Sequence, residues 1–203
     1  MSKVPVFSIF SEEEEKGYMR WRVLRDRALG PMAVWLAGHG VSATMISAAG
    51  LLTVLPFIWF FGFNPWLAFI FIILNVFLDA LDGPVARAKG GSVARQGAVI
   101  DFACDHLGFF IIFMTFFYYG LMNPFWGSLY LVNYVVMLAM VLFCNALKIR
   151  FFPVIRSKYM IYLIFFVWLM TGYNHFDAVL VFFTFYMAIT NYFLFTRIRC
   201  QLR

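Results

Sequence analysis

The sequence predicts an all-α, polytopic membrane protein, with six transmembrane helices preceded by an amino-terminal juxtamembrane amphipathic helix. Three observations predict it. Of 203 residues, 64% are hydrophobic and 13% are charged, whereas water-soluble domains average about 45–50% apolar and about 25% charged. Six stretches approach the roughly 20 apolar residues that cross about 30 Å of hydrocarbon. The basic residues then fall on one side of those stretches only, as a membrane topology requires. The same composition excludes a disordered chain. Three cysteines, Cys104, Cys144 and Cys200, two of them in apolar runs, exclude a secreted disulfide scaffold.

Residues 1–30 are expected to form a cytoplasmic amino-terminal segment, retained because Glu12–Glu15 stand where a cleavable signal would be apolar. Within it, Lys16–Ala28 mixes Arg with Met, Trp, Val and Leu, which suits an interfacial helix on anionic headgroups. Residues 31–203 then form one six-helix transmembrane domain. The spans are expected near Ser42–Phe61, Trp66–Gly83, Gly97–Gly120, Phe125–Leu147, Pro153–Tyr173 and Ala178–Phe195. The uncharged part of the fifth, Tyr159–Gly172, is too short to cross alone. A start at Pro153, a favoured first helical position, restores its length if Arg156 and Lys158 snorkel to the interface. Gly, Pro and Asn near 62–65 and 120–124 predict short turns on the opposite side.

Six spans put both termini on one side, where every basic residue also lies. The amino-terminal segment carries six (Lys3, Lys16, Arg20, Arg22, Arg25 and Arg27). The two same-side loops carry three (Arg87, Lys89, Arg95) and four (Lys148, Arg150, Arg156, Lys158), and the tail carries three (Arg197, Arg199, Arg203), which accounts for all sixteen. That side is therefore expected to be cytoplasmic. The net charge of +6 reads as membrane topology and not as a nucleic-acid surface.

Four of the ten acidic residues sit in or beside the second and third spans: Asp79, Asp82, Asp101 and Asp105. A carboxylate in hydrocarbon costs at least about 2.5–3.5 kcal/mol on insertion scales, so four need compensation. Asp79 and Asp82 are spaced i, i+3 and Asp101 and Asp105 i, i+4, so each pair shares a helical face. Antiparallel spans joined by a short loop bring the pairs together at the cytoplasmic surface. Carboxylates that close share protons or bind cations. An oxygen-only donor set favours Mg²⁺ or Mn²⁺ over Zn²⁺. Between the pairs, Gly83, Ala86, Gly90, Gly91 and Gly97 permit close backbone approach, and Arg87 offers a planar donor fork for phosphate. Salt bridging of the acids to Arg87 and Arg95 is the purely structural alternative. Hard-metal ligands beside phosphate donors at a lipid–water boundary point to phosphoryl transfer on a half-lipid substrate.

These residues resemble the CDP-alcohol phosphatidyltransferases, whose signature is D-x2-D-G-x2-A-R-x8-G-x3-D-x3-D. Asp79, Asp82, Gly83, Ala86 and Arg87 match its first half and Gly97, Asp101 and Asp105 its second. Nine residues in place of eight separate Arg87 from Gly97, and the surplus fits at Gly90-Gly91 in the loop. Where many members open the first span with Pro-Asn-x-x-Thr, this chain has Ala43-Thr44-Met45-Ile46-Ser47, in which Ser47 keeps the hydroxyl. The resemblance implies transfer of a phosphatidyl group from CDP-diacylglycerol to an alcohol, with release of CMP. It implies two divalent ions on Asp79, Asp82 and Asp101 with Asp105 alongside, and a CDP site at Asp82, Gly83, Ala86, Arg87 and Gly97. It also makes Asp105 the general base, a choice over Asp101 that the residues alone do not make. Membrane lipids are the implied surroundings, the inner membrane of a bacterium the expected location, and homodimers are common in the family.

The acceptor is read from Asn145–Arg150, where Lys148 and Arg150 resemble the segment that holds an acceptor phosphate in members using glycerol phosphate or inositol phosphate. Arg156, Arg197 and Arg199 would complete the anion pocket. The topology rule alone also accounts for these five residues. A serine or amino-alcohol acceptor, a non-catalytic nucleotide- or lipid-binding scaffold and a cation transporter are the alternative functions. His106 points about 100° from the Asp105 face and is expected in a helix–helix polar contact.

Overall fold

The computed structural model describes residues 12–89, 95–147, 149, 151, 154–155 and 157–202, with side chains described from Arg22 in the first helix and from Val99 in the fifth. Every regular element among them is helical: α1 (Glu12–Gly38), α2 (Ala43–Leu52), α3 (Val54–Phe61), α4 (Pro65–Ala88), α5 (Arg95–Tyr118), α6 (Pro124–Ala146), α7 (Ser157–Thr171) and α8 (Phe176–Gln201). Among the described residues, five segments are long and apolar enough to cross a membrane, namely Ala43–Phe61, Pro65–Ala88, Val99–Tyr118, Pro124–Ala146 and Phe176–Gln201; α7 is a shorter apolar helix. The chain is an all-α, polytopic membrane protein.

Local chemistry sets the ends. Asn64-Pro65 and Asn123-Pro124 start α4 and α6 alike: proline's fixed φ suits the first helical position while the Asn side chain caps the next N–H groups. Asn64 Oδ1 accepts from the N–H groups of Trp66 (3.1 Å) and Leu67 (3.3 Å), and Asn123 Oδ1 from that of Phe125 (2.9 Å). Ser42 likewise caps α2, accepting from Met45 N at 3.2 Å.

The first span, expected as one helix, is broken at Thr53 into α2 and α3. Pro56 explains the break, because its ring clashes with the carbonyl four residues back and it has no N–H to donate. The amino-terminal helix is also longer than Lys16–Ala28: α1 runs through Pro31 to Gly38. α4 continues past Gly83 through Pro84 to Ala88, which deprives the Ala80 carbonyl of its usual helical donor.

The described residues pack as two compact units, Arg20–Tyr119 on the one hand and, on the other, the described parts of Met1–Met19 and Gly120–Arg203. In the first, Leu29, Ala33 and Leu36 of α1 pack with Ile46 of α2 and with Leu78, Leu81 and Val85 of α4. In the same unit, Phe57 and Phe61 of α3 make edge and tilted ring contacts with Phe116 of α5, with centroids 5.9 and 5.7 Å apart.

In the second unit, the Asn123 N–H donates to Asp177 Oδ1 (2.7 Å) and Asn174 Nδ2 to the Leu121 carbonyl (2.8 Å), joining the starts of α6 and α8. At the far end Val141 and Cys144 pack with Leu194 and Phe151. The chain then turns back along α6. The Ile155 N–H donates to Tyr186 Oη at 3.0 Å, and Ser157 Oγ lies 2.7 Å from Tyr130 Oη, six residues after α6 begins. This corrects the expected helix start at Pro153: Val154 and Ile155 are non-helical and α7 begins at Ser157. Its 15 residues rise only about 22 Å. Non-helical backbone at membrane depth needs partners for its N–H groups, and Tyr186 supplies one to Ile155. Lys158, expected to snorkel, is buried at 6% exposure with its ammonium 4.9 Å from the Tyr159 ring centroid. Pro153 lies outside the described residues.

Candidate active site

α4 and α5 deliver all four expected carboxylates to one cavity within the Arg20–Tyr119 unit. Asp79, Asp82, Asp101 and Asp105 line one half-open pocket, with Ser47, Gly50, Asn75 and Cys104 among its other walls. The helices reach it in opposite directions, so Asp82 meets Asp101 and Asp79 lies level with Asp105 one turn further along. The carboxyl groups of Asp82 and Asp101 are within hydrogen-bonding reach of each other. Ser47 Oγ sits beside both, 2.8 Å from Asp101 Oδ1 and 3.5 Å from Asp82 Oδ2. Asp82 is buried at 8% exposure, while Asp79, Asp101 and Asp105 are half-buried.

One turn below Asp79, Asn75 Nδ2 donates to the Gly50 carbonyl at 2.8 Å. Gly108 of α5 lies against the same amide: a Cβ on Gly50 or Gly108 would stand in ordinary contact with Asn75 Nδ2, at 3.8 or 3.7 Å. α2, α4 and α5 therefore converge on one amide that closes the floor of the cavity. Asn75, Asp79 and Asp82 follow an i, i+4, i+7 spacing that was visible in the sequence, where attention to charge alone passed over the amide.

The donors fit a hard divalent cation by chemistry, being carboxylate oxygens with a hydroxyl beside them and no imidazole. Among the described residues, no three His, Cys, Asp or Glu side chains are drawn in closely enough to hold an ion, so the four acids share a cavity without closing on its centre. Within α5, His106 Nδ1–H donates to the Phe102 carbonyl at 2.8 Å.

The Gly83–Arg87 segment carries a second polar cluster. Arg87 is ion-paired with Asp26 of α1, and Arg25 Nε lies 3.8 Å from the same carboxylate. A Cβ on Gly83 would lie 2.9 Å from Arg25 Nη2 and 3.3 Å from Arg87 Nη1. The two guanidinium groups are thus no more than about 6 Å apart, where like charges repel by about 3 kcal/mol at an effective dielectric of about 20. Asp26 offsets part of that repulsion. Ala86 is half-buried beside Arg87 on α4, and Gly97 lies in the first turn of α5. The Arg95 side chain lies outside the described residues, as do Lys148, Arg150 and Arg156 of the expected acceptor pocket. Arg197 and Arg199 are exposed on the last two turns of α8, in the other unit.

Residues 41–190 match the family model of the CDP-alcohol phosphatidyltransferases. The chain belongs to that family. The Asp79–Asp105 stretch on α4 and α5 lies inside the matched region. The archaetidylinositol phosphate synthase of Pyrococcus horikoshii is 38% identical over 73 residues, which are 36% of this chain and 38% of that protein. The chain thus spans well under half the length of this relative. No solved structure matches.

Proposed function

We propose that this protein transfers a phosphatidyl group from CDP-diacylglycerol to an alcohol and releases CMP, at the cytoplasmic face of a bacterial inner membrane. The observation that carries the reading is the gathering of Asp79, Asp82, Asp101 and Asp105 on one cavity at the end of two apolar helices, in a chain of this family. Mg²⁺ or Mn²⁺ held by Asp79, Asp82 and Asp101, with Asp105 alongside, would neutralise charge on the diphosphate and on departing CMP. Gly83, Ala86, Arg87 and Gly97 bind the CDP portion, Arg87 by its donor fork. Asp105 takes the proton of the acceptor hydroxyl as its oxygen attacks the lipid-linked phosphorus. The new P–O bond forms as the bond to the CMP oxygen breaks, and CMP leaves. The Ser47 hydroxyl favours this division of labour, since it engages Asp101 and Asp82.

The acceptor is a phosphorylated polyol such as inositol phosphate or glycerol phosphate, held by Lys148, Arg150, Arg156, Arg197 and Arg199. The name of the archaeal relative, a synthase of archaetidylinositol phosphate, supports that choice over serine or an amino alcohol. The test is CMP release by the purified protein with CDP-diacylglycerol, Mn²⁺ and a panel of acceptors. Release with a phosphorylated polyol is expected, and replacing both Lys148 and Arg150 by Gln should raise the KM for that acceptor. Release only with serine or an amino alcohol would overturn the acceptor, and silence with every acceptor would overturn the reaction.

A further inference from the structure

We infer that Arg25 of α1 is a second substrate-binding arginine, which grips the diphosphate of the CDP-linked substrate together with Arg87; the inference rests on the reaction proposed above. Arg25 counts among sixteen basic residues whose one-sidedness the topology rule explains, but a topology charge sits in water or among headgroups. The Arg25 side chain is only 14% exposed and faces the motif glycine from above, its Nη2 2.9 Å from where a Gly83 Cβ would be. Its position follows from packing. Arg25, Leu29, Ala33 and Leu36 are spaced i, i+4, i+8, i+11 along one face of α1, and the last three pack against α2 and α4. The interface that anchors α1 therefore aims Arg25 at the residue that follows Asp82.

Two guanidinium forks converge at Gly83, a motif position with no side chain. A diphosphate carries charge and oxygens enough for both, and planar forks suit phosphate oxygens. Gly83 is then small for a physical reason, since any side chain there would occupy the space into which both arginines reach. Asp26 acts as an internal counter-ion that holds the pair apart from its own repulsion until phosphate replaces it.

The rival account makes Arg25 a bolt that fastens α1 to α4 through Asp26, and CDP binding separates the two. Full-length protein in detergent with Mn²⁺ is titrated with CDP. Arg25→Gln should weaken CDP binding about tenfold, the loss expected for a charge-assisted contact, with Arg25→Lys between it and wild type. Asp26→Asn should bind CDP as tightly as wild type or more so, because a competing carboxylate is gone. Unchanged CDP affinity in Arg25→Gln would overturn the inference, as would equal weakening by Arg25→Gln and Asp26→Asn. Should Arg25→Gln fail to fold, the same comparison is read from Arg25→Lys, for which wild-type affinity overturns the inference. A wild-type protein that binds no CDP would instead overturn the proposed reaction and this inference with it.

Discussion

At the scale of single residues, the site depends on small groups that place large charges. Ser47 is the sharpest case. One hydroxyl on α2 stands between carboxylates from α4 and α5, so it couples three helices at the point where acid repulsion is greatest. Ser47→Ala removes that coupling without adding bulk. It should lower kcat for CMP release about tenfold, the worth of about 1.4 kcal/mol, and raise the Mn²⁺ concentration needed for half-maximal rate. Ser47→Thr keeps the hydroxyl and should stay close to wild type. If Ser47→Ala turns over at the wild-type rate and Mn²⁺ dependence, the hydroxyl has no part in the site. Gly83 works by the opposite means, since what matters there is the absence of a side chain.

At the scale of elements, helix convergence sets the geometry. α4 and α5 carry the acids, but α2 fixes their spacing through Ser47 above and through the Gly50 carbonyl below. That carbonyl accepts from Asn75 Nδ2 and also from Thr53 Oγ1 at 2.6 Å, so one backbone group serves both the α2–α4 contact and the break between α2 and α3. Interhelical polar contacts in membranes contribute about 0.6 kcal/mol on average and about 1.7 at most. Asn75→Ala should therefore lower the thermal midpoint in detergent by a few degrees while leaving the fold intact. An unchanged midpoint would show that the Thr53 bonds suffice. α7 shows the converse: it begins only at Ser157, after non-helical Val154 and Ile155, and the Ile155 N–H finds its acceptor in Tyr186 of α8.

At the scale of the whole molecule, hydropathy and charge made the architecture and the four acids legible, because spans need length and lipid tolerates few charges. Asp79, Asp82, Asp101 and Asp105 could be paired from i, i+3 and i, i+4 spacing before any coordinates existed. Contacts between distant segments could not be read this way. Nothing in the local sequence says that Asp26 pairs with Arg87, sixty-one positions away, or that Arg25 covers Gly83; both follow from the tertiary docking of α1. The shortened α7 was hidden for the same reason, since hydropathy registers the apolar run but not the return of backbone beside α6. The Thr53 break, by contrast, was written locally in Pro56.

The central claim is that the carboxylate cavity transfers a lipid-linked phosphoryl group with Asp105 as base. Its most direct test measures CMP release and CDP binding side by side in wild type and Asp105→Asn, each with Mn²⁺ and a phosphorylated polyol acceptor. General-base catalysis is worth about 10²–10⁴-fold, so Asp105→Asn should lose release by at least that lower bound while still binding CDP, and EDTA should silence the wild type. Wild-type release rates in Asp105→Asn would contradict the account.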